Sequence, residues 1–159
     1  MSLFLWMLRH GEAERETRRD PDRVLTAQGR IDATAAGTLL AALAPRPRRL
    51  LCSPYVRAQQ TATAVLPALS GLRIETVDWL TPDTPPLTAL KHLTAIYDES
   101  VLLVAHQPLL GDLLGLLIEG DAGAAPPLPT AALVGVDLPI TAVGYGALRY
   151  LLTPPHDKH

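Results

Sequence analysis

The sequence predicts an α/β domain, a three-layer α/β/α sandwich with a mostly parallel central sheet. Short, continuously apolar runs at 3–8 and 100–105 alternate with longer amphipathic stretches, the pattern of strands buried on both faces beneath covering helices. The chain has 159 residues, enough for one domain that buries roughly two-thirds of its unfolded surface without disulfides or metals. Hydrophobic residues make up 48% and charged residues 19%, a balance that excludes disorder as the dominant state.

Each element follows from a local signal. Residues 3–8 read as the first strand, and a polar loop runs from 9 to 23. Thr26 stands at an N-cap position, and 27–43 places Ile31, Ala35, Leu39 and Leu43 at helical spacing as an apolar stripe. Ala44-Pro-Arg-Pro47 ends that helix. Residues 49–53 form a second strand, and Pro54 is expected to open a helix reaching 69, because a first-turn proline wastes no amide. Residues 74–77 read as a weak third strand, 81–86 as a proline-rich loop and 87–96 as a helix. The run 100–105 is the clearest strand. A helix over 108–118 follows it, then a break at 121–129 and two strands, 131–138 and 145–152, joined by a turn at Gly144. One domain therefore spans 1–153, and 154–159 is expected to be a frayed tail.

Composition narrows the function. A net charge of -2 gives no global field that would draw a nucleic-acid backbone. The run 3–8 is far shorter than the ~20 residues of a membrane span, and 109–118 is broken by Gly111, Asp112 and Gly115, so a soluble protein is expected. Cys52 has no partner for an internal disulfide, which fits a reducing, cytoplasmic setting, and it is expected to be buried beside the site. No His-Glu-x-x-His and no cysteine pair is present, so neither metal nor cofactor is expected. No heptad or uncompensated apolar patch can be read, which leaves the oligomeric state open.

Three segments place polar residues just after predicted strands: Arg9-His10-Gly11-Glu12, Ser53-Pro54-Tyr55-Val56-Arg57 and His106-Gln107-Pro108. Loops at strand ends of an open α/β sheet converge beside helix N-termini, where ligands bind. Two arginines and two histidines there suit a phosphoryl group. Guanidiniums offer planar, permanent donors to its oxygens. A neutral imidazole attacks phosphorus if its other nitrogen is pinned as a donor, commonly by a backbone carbonyl. Gly11 is expected to let the backbone approach the phosphate.

Arg9-His10-Gly11-Glu12 after an apolar strand resembles the signature of the histidine phosphatase superfamily, with its phosphoglycerate-mutase-like fold. Leu25-Thr26-Ala27-Gln28-Gly29 is similar to that family's "LTxxG" helix start. Residues 53–62 resemble its "SPxxRAxQTA" junction, and Val104-Ala105-His106 its second histidine. The resemblance implies that His10 is a transiently phosphorylated nucleophile and that Arg9 and Arg57 hold the phosphoryl oxygens. His106 would stabilise the charge of the transition state, and Ser53 is expected to be structural. Gly11, Glu12 and Gln107 join Arg9, Arg57 and His106 as substrate-binding candidates.

The short stretch between Arg57 and His106 holds only Glu75, Asp78, Asp83, Asp98 and Glu99 as carboxylates, none in a recognisable acid motif. Together with Leu80-Thr-Pro82, the start His106-Gln-Pro-Leu-Leu-Gly111 and Pro126-Pro-Leu-Pro-Thr130, the small size resembles the SixA-type phosphohistidine phosphatases. The chemistry agrees: an alkoxide needs a general acid to leave, whereas imidazole, with a pKa of about 6.5, leaves protonated at little cost. The expected activity is metal-independent removal of phosphate from a protein phosphohistidine, with a histidine phosphotransfer domain as the kind of partner. One rival is a small-molecule phosphomonoesterase with Glu12 or Asp83 as the acid; another is a module that binds phosphorylated ligands without hydrolysing them. Glu12 either positions substrate, supplies a proton or is merely solvated. His92 is expected at the surface. Arg15, Arg18, Arg19 and Arg23, interleaved with Glu14, Glu16, Asp20 and Asp22, form either a solvated loop or the rim that meets a protein substrate.

Overall fold

A computed structural model describes residues 2–15 and 18–156. Its sheet has six strands: β1 (Leu3–Arg9), β2 (Arg49–Cys52), β3 (Ile74–Thr76), β4 (Ser100–Ala105), β5 (Leu133–Leu138) and β6 (Ala147–Leu152). Their order is β3-β2-β4-β1-β5-β6. The first four run parallel, and β5 pairs antiparallel with both β1 and β6. The four α-helices are α1 (Ala27–Ala41), α2 (Val56–Val65), α3 (Pro86–Leu93) and α4 (Leu109–Glu119).

Alternation along the central strands divides the core into two layers. Leu5, Met7, Leu51, Val101, Leu103 and Ala105 face α3 and α4. Trp6, Leu8, Leu50, Cys52, Leu102 and Val104 face α1 and α2. Every residue of β4 is buried, which explains why this strand reads as an unbroken apolar run. The α/β/α sandwich is thus the observed architecture. No helix among the described residues is long and apolar enough to cross a membrane.

Several boundaries differ from the sequence reading for local reasons. In α1, Thr26 does cap the helix by accepting from the Gly29 amide at 3.0 Å. The buried face, however, is Gly29, Ala33, Ala36, Gly37 and Leu40, while Ile31 is 61% exposed. Small residues line this face because α1 and α2 nearly touch: a Cβ on Gly37 would stand 2.9 Å from Val65 Cα. Pro54 does not open α2. Ser53 Oγ accepts from the Tyr55 amide at 3.2 Å, and Tyr55 stays extended as the cap at ψ 142°, a local bond that competes with helix. The helix then tightens into a 3-10 turn at Leu66–Ala68, around Pro67. Strand β5 starts at Leu133 because Ala131 sits at φ 58°, and the turn before β6 uses Gly144 at φ 80°. His156, expected in the frayed tail, is buried at 3% exposure; residues 157–159 lie outside the described residues.

The close approach of α1 and α2 predicts that Gly37→Ala lowers stability by about 1–3 kcal/mol through overpacking against backbone. Ile31→Lys should change it by less than about 0.5 kcal/mol. Urea titration of both variants checks the contrast.

Candidate active site

Strand register assembles the site. Arg9 at the end of β1 pairs with Ala105, and Cys52 at the end of β2 pairs with Val104. His10, Ser53 and His106 therefore leave the sheet side by side. The ladder continues one step beyond the strands, with the His10 amide donating to Ala105 O at 3.0 Å and the Ser53 amide to Val104 O at 3.1 Å. Arg57 arrives from the first turn of α2.

His10 is 6% exposed, and its Nδ1 lies 2.7 Å from Gly11 O. A carbonyl oxygen only accepts, so Nδ1 carries the ring proton and the neutral ring keeps its lone pair on Nε2. That lone pair accepts from Arg57 Nε at 3.3 Å. Burial is the largest influence on this ring and drives its pKa down to about 4; the Gly11 carbonyl opposes, and the charges of Arg57, Arg9 and Arg23 add to the fall. The His10 ring is thus uncharged at neutral pH.

His106 lies with its ring centroid 5.2 Å from that of His10 and 5.1 Å from Tyr55, edge-on. Its Nε2 is 2.7 Å from Ser53 Oγ. Burial, then the proximity of His10, Arg57 and Arg9, also keeps this ring far below its usual pKa. Arg9 Nη1 donates to Leu128 O at 2.7 Å. Two buried side-chain nitrogens here, Arg9 Nε and His106 Nδ1, have no hydrogen-bond partner. Cationic guanidiniums, uncharged imidazoles and unfilled donors suit a tetrahedral oxyanion.

The loop after β1 folds back over the site. An isolated antiparallel bridge joins Ala13 to Leu25. Arg57 Nη1 donates to Asp20 O at 2.7 Å and Nη2 to Asp20 Oδ2 at 3.3 Å, while Arg23 Nη1 donates to Asp20 Oδ1 at 3.0 Å. Burial raises the Asp20 pKa, but hydrogen bonds and charge from Arg23 and Arg57 outweigh it and leave the carboxyl below its usual value. Asp20 belongs to the mixed-charge loop, yet no local pattern singles it out, because Arg57 lies far along the chain. Glu16, in the same loop, is outside the described residues.

The other candidates are placed differently. Gly11 is required by protein backbone: a Cβ there would lie 2.5 Å from Gly29 O, so the glycines of two motifs interlock. The Gly11 amide donates to Thr61 Oγ1 at 3.0 Å, and Thr61 donates to Arg57 O at 2.8 Å. Thr61 stands one helical turn after Arg57, a spacing that could have revealed this link. Glu12 is exposed and accepts from Thr26 Oγ1 at 2.8 Å. Gln107 Oε1 accepts from the Gly111 amide at 2.8 Å, which occupies it at the start of α4. Asp83 accepts from Thr81 Oγ1 and lines a separate groove with Asp78, Trp79 and His92. His92 is exposed as expected, with its ring stacked on Trp79.

Residues 5–81 match the model of the histidine phosphatase superfamily (branch 1). Phosphohistidine phosphatase SixA of Escherichia coli K12 is 29% identical over 154 residues, covering 94% of this chain and 93% of that protein. A SixA homolog of Haemophilus influenzae is 34% identical over 128 residues, covering 74% and 77%. The solved structure of the protein histidine phosphatase SixA complexed with tungstate superimposes with a TM-score of 0.84 at 30% identity, covering 97% of both chains. A structure of a putative α-ribazole-5′-P phosphatase from E. coli shares the fold at TM-score 0.77 and 22% identity. The chain belongs to the histidine phosphatase superfamily. It is a phosphatase, and two of its relatives, at 29% and 34% identity, carry the SixA name.

The depressed His10 pKa fixes a sign for acid stability. The folded value lies below the unfolded one of about 6.5, so the unfolded chain binds the extra proton. Stability is therefore lost as pH falls from about 6.5 towards 4, by up to about 3 kcal/mol from this ring. An NMR titration should place the His10 midpoint near 4, and Arg57→Gln should raise it; a wild-type midpoint at 6.5 or above contradicts the electrostatic account.

Proposed function

We propose that this chain dephosphorylates phosphohistidine on a protein through a covalent phospho-His10 intermediate, without a metal. His10 Nε2 attacks phosphorus in line, forming one N–P bond as the substrate's N–P bond breaks. The departing imidazole takes up a proton from solvent, and the water of the second step returns one. Water then attacks phospho-His10 and releases inorganic phosphate, restoring the free ring. Arg9 and Arg57 hold the phosphoryl oxygens in ground and transition states. Ser53 Oγ accepts from the Tyr55 amide and lies 2.7 Å from His106 Nε2; with the hydroxyl proton given to Nε2, His106 Nδ1–H is the donor left for a phosphoryl oxygen.

The observation that carries the substrate class is the state of Asp20. This is the carboxylate hydrogen-bonded to Arg57, and both of its oxygens accept from arginines, Oδ2 from Arg57 and Oδ1 from Arg23. An ionised carboxylate has no proton to give to an alkoxide. Imidazole needs no such acid, which favours N–P over O–P cleavage; the fold alone, shared with an ester phosphatase relative, does not decide. Likeness to SixA supports the same reading. The partner is a protein bearing phosphohistidine, for which a histidine phosphotransfer domain is the fitting kind, and the setting is the cytoplasm.

Hydrolysis of a phosphohistidine peptide should exceed that of sugar and glycerate phosphates by about 10²-fold or more in kcat/KM, the scale of a general acid, with chelator present. A preference for an ester overturns the substrate class, and loss of activity in chelator overturns metal independence. Arg57→Ala should lower kcat and raise KM, with a total loss of about 10²-fold or more.

A further inference from the structure

The segment leading into β5 holds the pair Arg9 and His10 by their main chain. The Ala131 amide donates to both Arg9 O at 3.1 Å and His10 O at 3.0 Å, while the Arg9 amide donates to Ala132 O at 3.1 Å. Leu128 O takes the Arg9 guanidinium at 2.7 Å. Residues 128–132 thus form a strap against the end of β1, and one amide serves two carbonyls.

Ala131 reaches that position only at φ 58°, a left-handed conformation that is strained for an alanine. A strained residue persists where its surroundings over-determine it. The extra restraint comes from the end of the chain. His156 is 3% exposed, and its Nε2 lies 2.7 Å from Ala131 O. Since a carbonyl only accepts, Nε2 is the donor. The imidazole grips one side of Ala131 while the other side grips Arg9 and His10.

We infer that His156 is a positioning residue for the phosphoryl-transfer site, acting through Ala131 to set the backbone of Arg9 and His10. The inference rests on the reading of His10 as nucleophile. The two are separable, because the His156 hydrogen bond goes to the Ala131 carbonyl and not to the reacting ring, whereas misplacing the nucleophile by up to 1 Å costs as much as ~10²-fold in rate.

The test is single-turnover phosphorylation of the enzyme by phosphoramidate, run well below the melting temperature of each variant. His156→Leu, which removes the donor, should slow phosphoenzyme formation by about 10- to 100-fold. His156→Gln, which returns an N–H donor on a side chain of similar reach, should recover the rate to within about threefold. A folded Leu variant as fast as wild type overturns the inference, since a merely structural role would lower the melting temperature and spare the rate. So does a folded Gln variant as slow as the Leu variant. If the Leu variant does not fold, His156→Phe, which keeps a ring but not the donor, takes its place: a rate about 10-fold or more below that of the Gln variant supports the inference and an equal rate overturns it. Wild type that forms no phosphoenzyme refutes the underlying reading instead.

Discussion

The parallel pairing of β4 with both β1 and β2 is the constraint on which the rest depends. Its register puts Arg9 beside Ala105 and Cys52 beside Val104, so three chain segments distant in sequence emit their polar residues at one level. A one-residue slip would turn each side chain to the opposite face. Burial on both sides of β4 makes such a slip costly, because Val101, Leu103 and Ala105 serve one core layer and Leu102 and Val104 the other. The geometry of the candidate site is therefore secured by hydrophobic packing well below it.

Around that frame the electrostatics are arranged for an anion. Two imidazoles sit uncharged among guanidiniums because burial and positive neighbours both oppose their protonation. The same conditions leave Arg9 and Arg57 below the usual arginine value, chiefly by desolvation. A phosphoryl group entering here meets charge already fixed in place, with little reorganisation left to the moment of reaction. Asp20 partly neutralises the cluster through the Arg57 and Arg23 bonds and closes the loop after β1 onto the site.

Much of this was legible in the residues. Strands β1 and β4 are continuous apolar runs ending at Arg9-His10 and before His106, so both their burial and the meeting of those polar residues at the strand ends could be read. The pinned Nδ1 of His10 follows from what a nucleophilic imidazole requires, and Gly11 O supplies the partner. What escaped is non-local or carried by small side chains. The buried face of α1 is made of glycine and alanine, so a search for large apolar residues selected exposed Ile31 instead. Asp20 meets Arg57 and His156 meets Ala131 only after the chain has folded, and neither pair leaves a periodic trace. Gly11 also packs against Gly29, a contact hidden in the residues because sequence shows that a side chain is missing and not what fills the space.

The most direct test of the central claim is a rapid-quench experiment with a 32P-labelled phosphohistidine peptide, followed by mapping of the labelled enzyme. The account predicts label that rises and decays within one turnover, is labile to acid and stable to alkali, and resides on His10. Complete turnover with no label on the enzyme, or label that persists in His10→Ala, would contradict it.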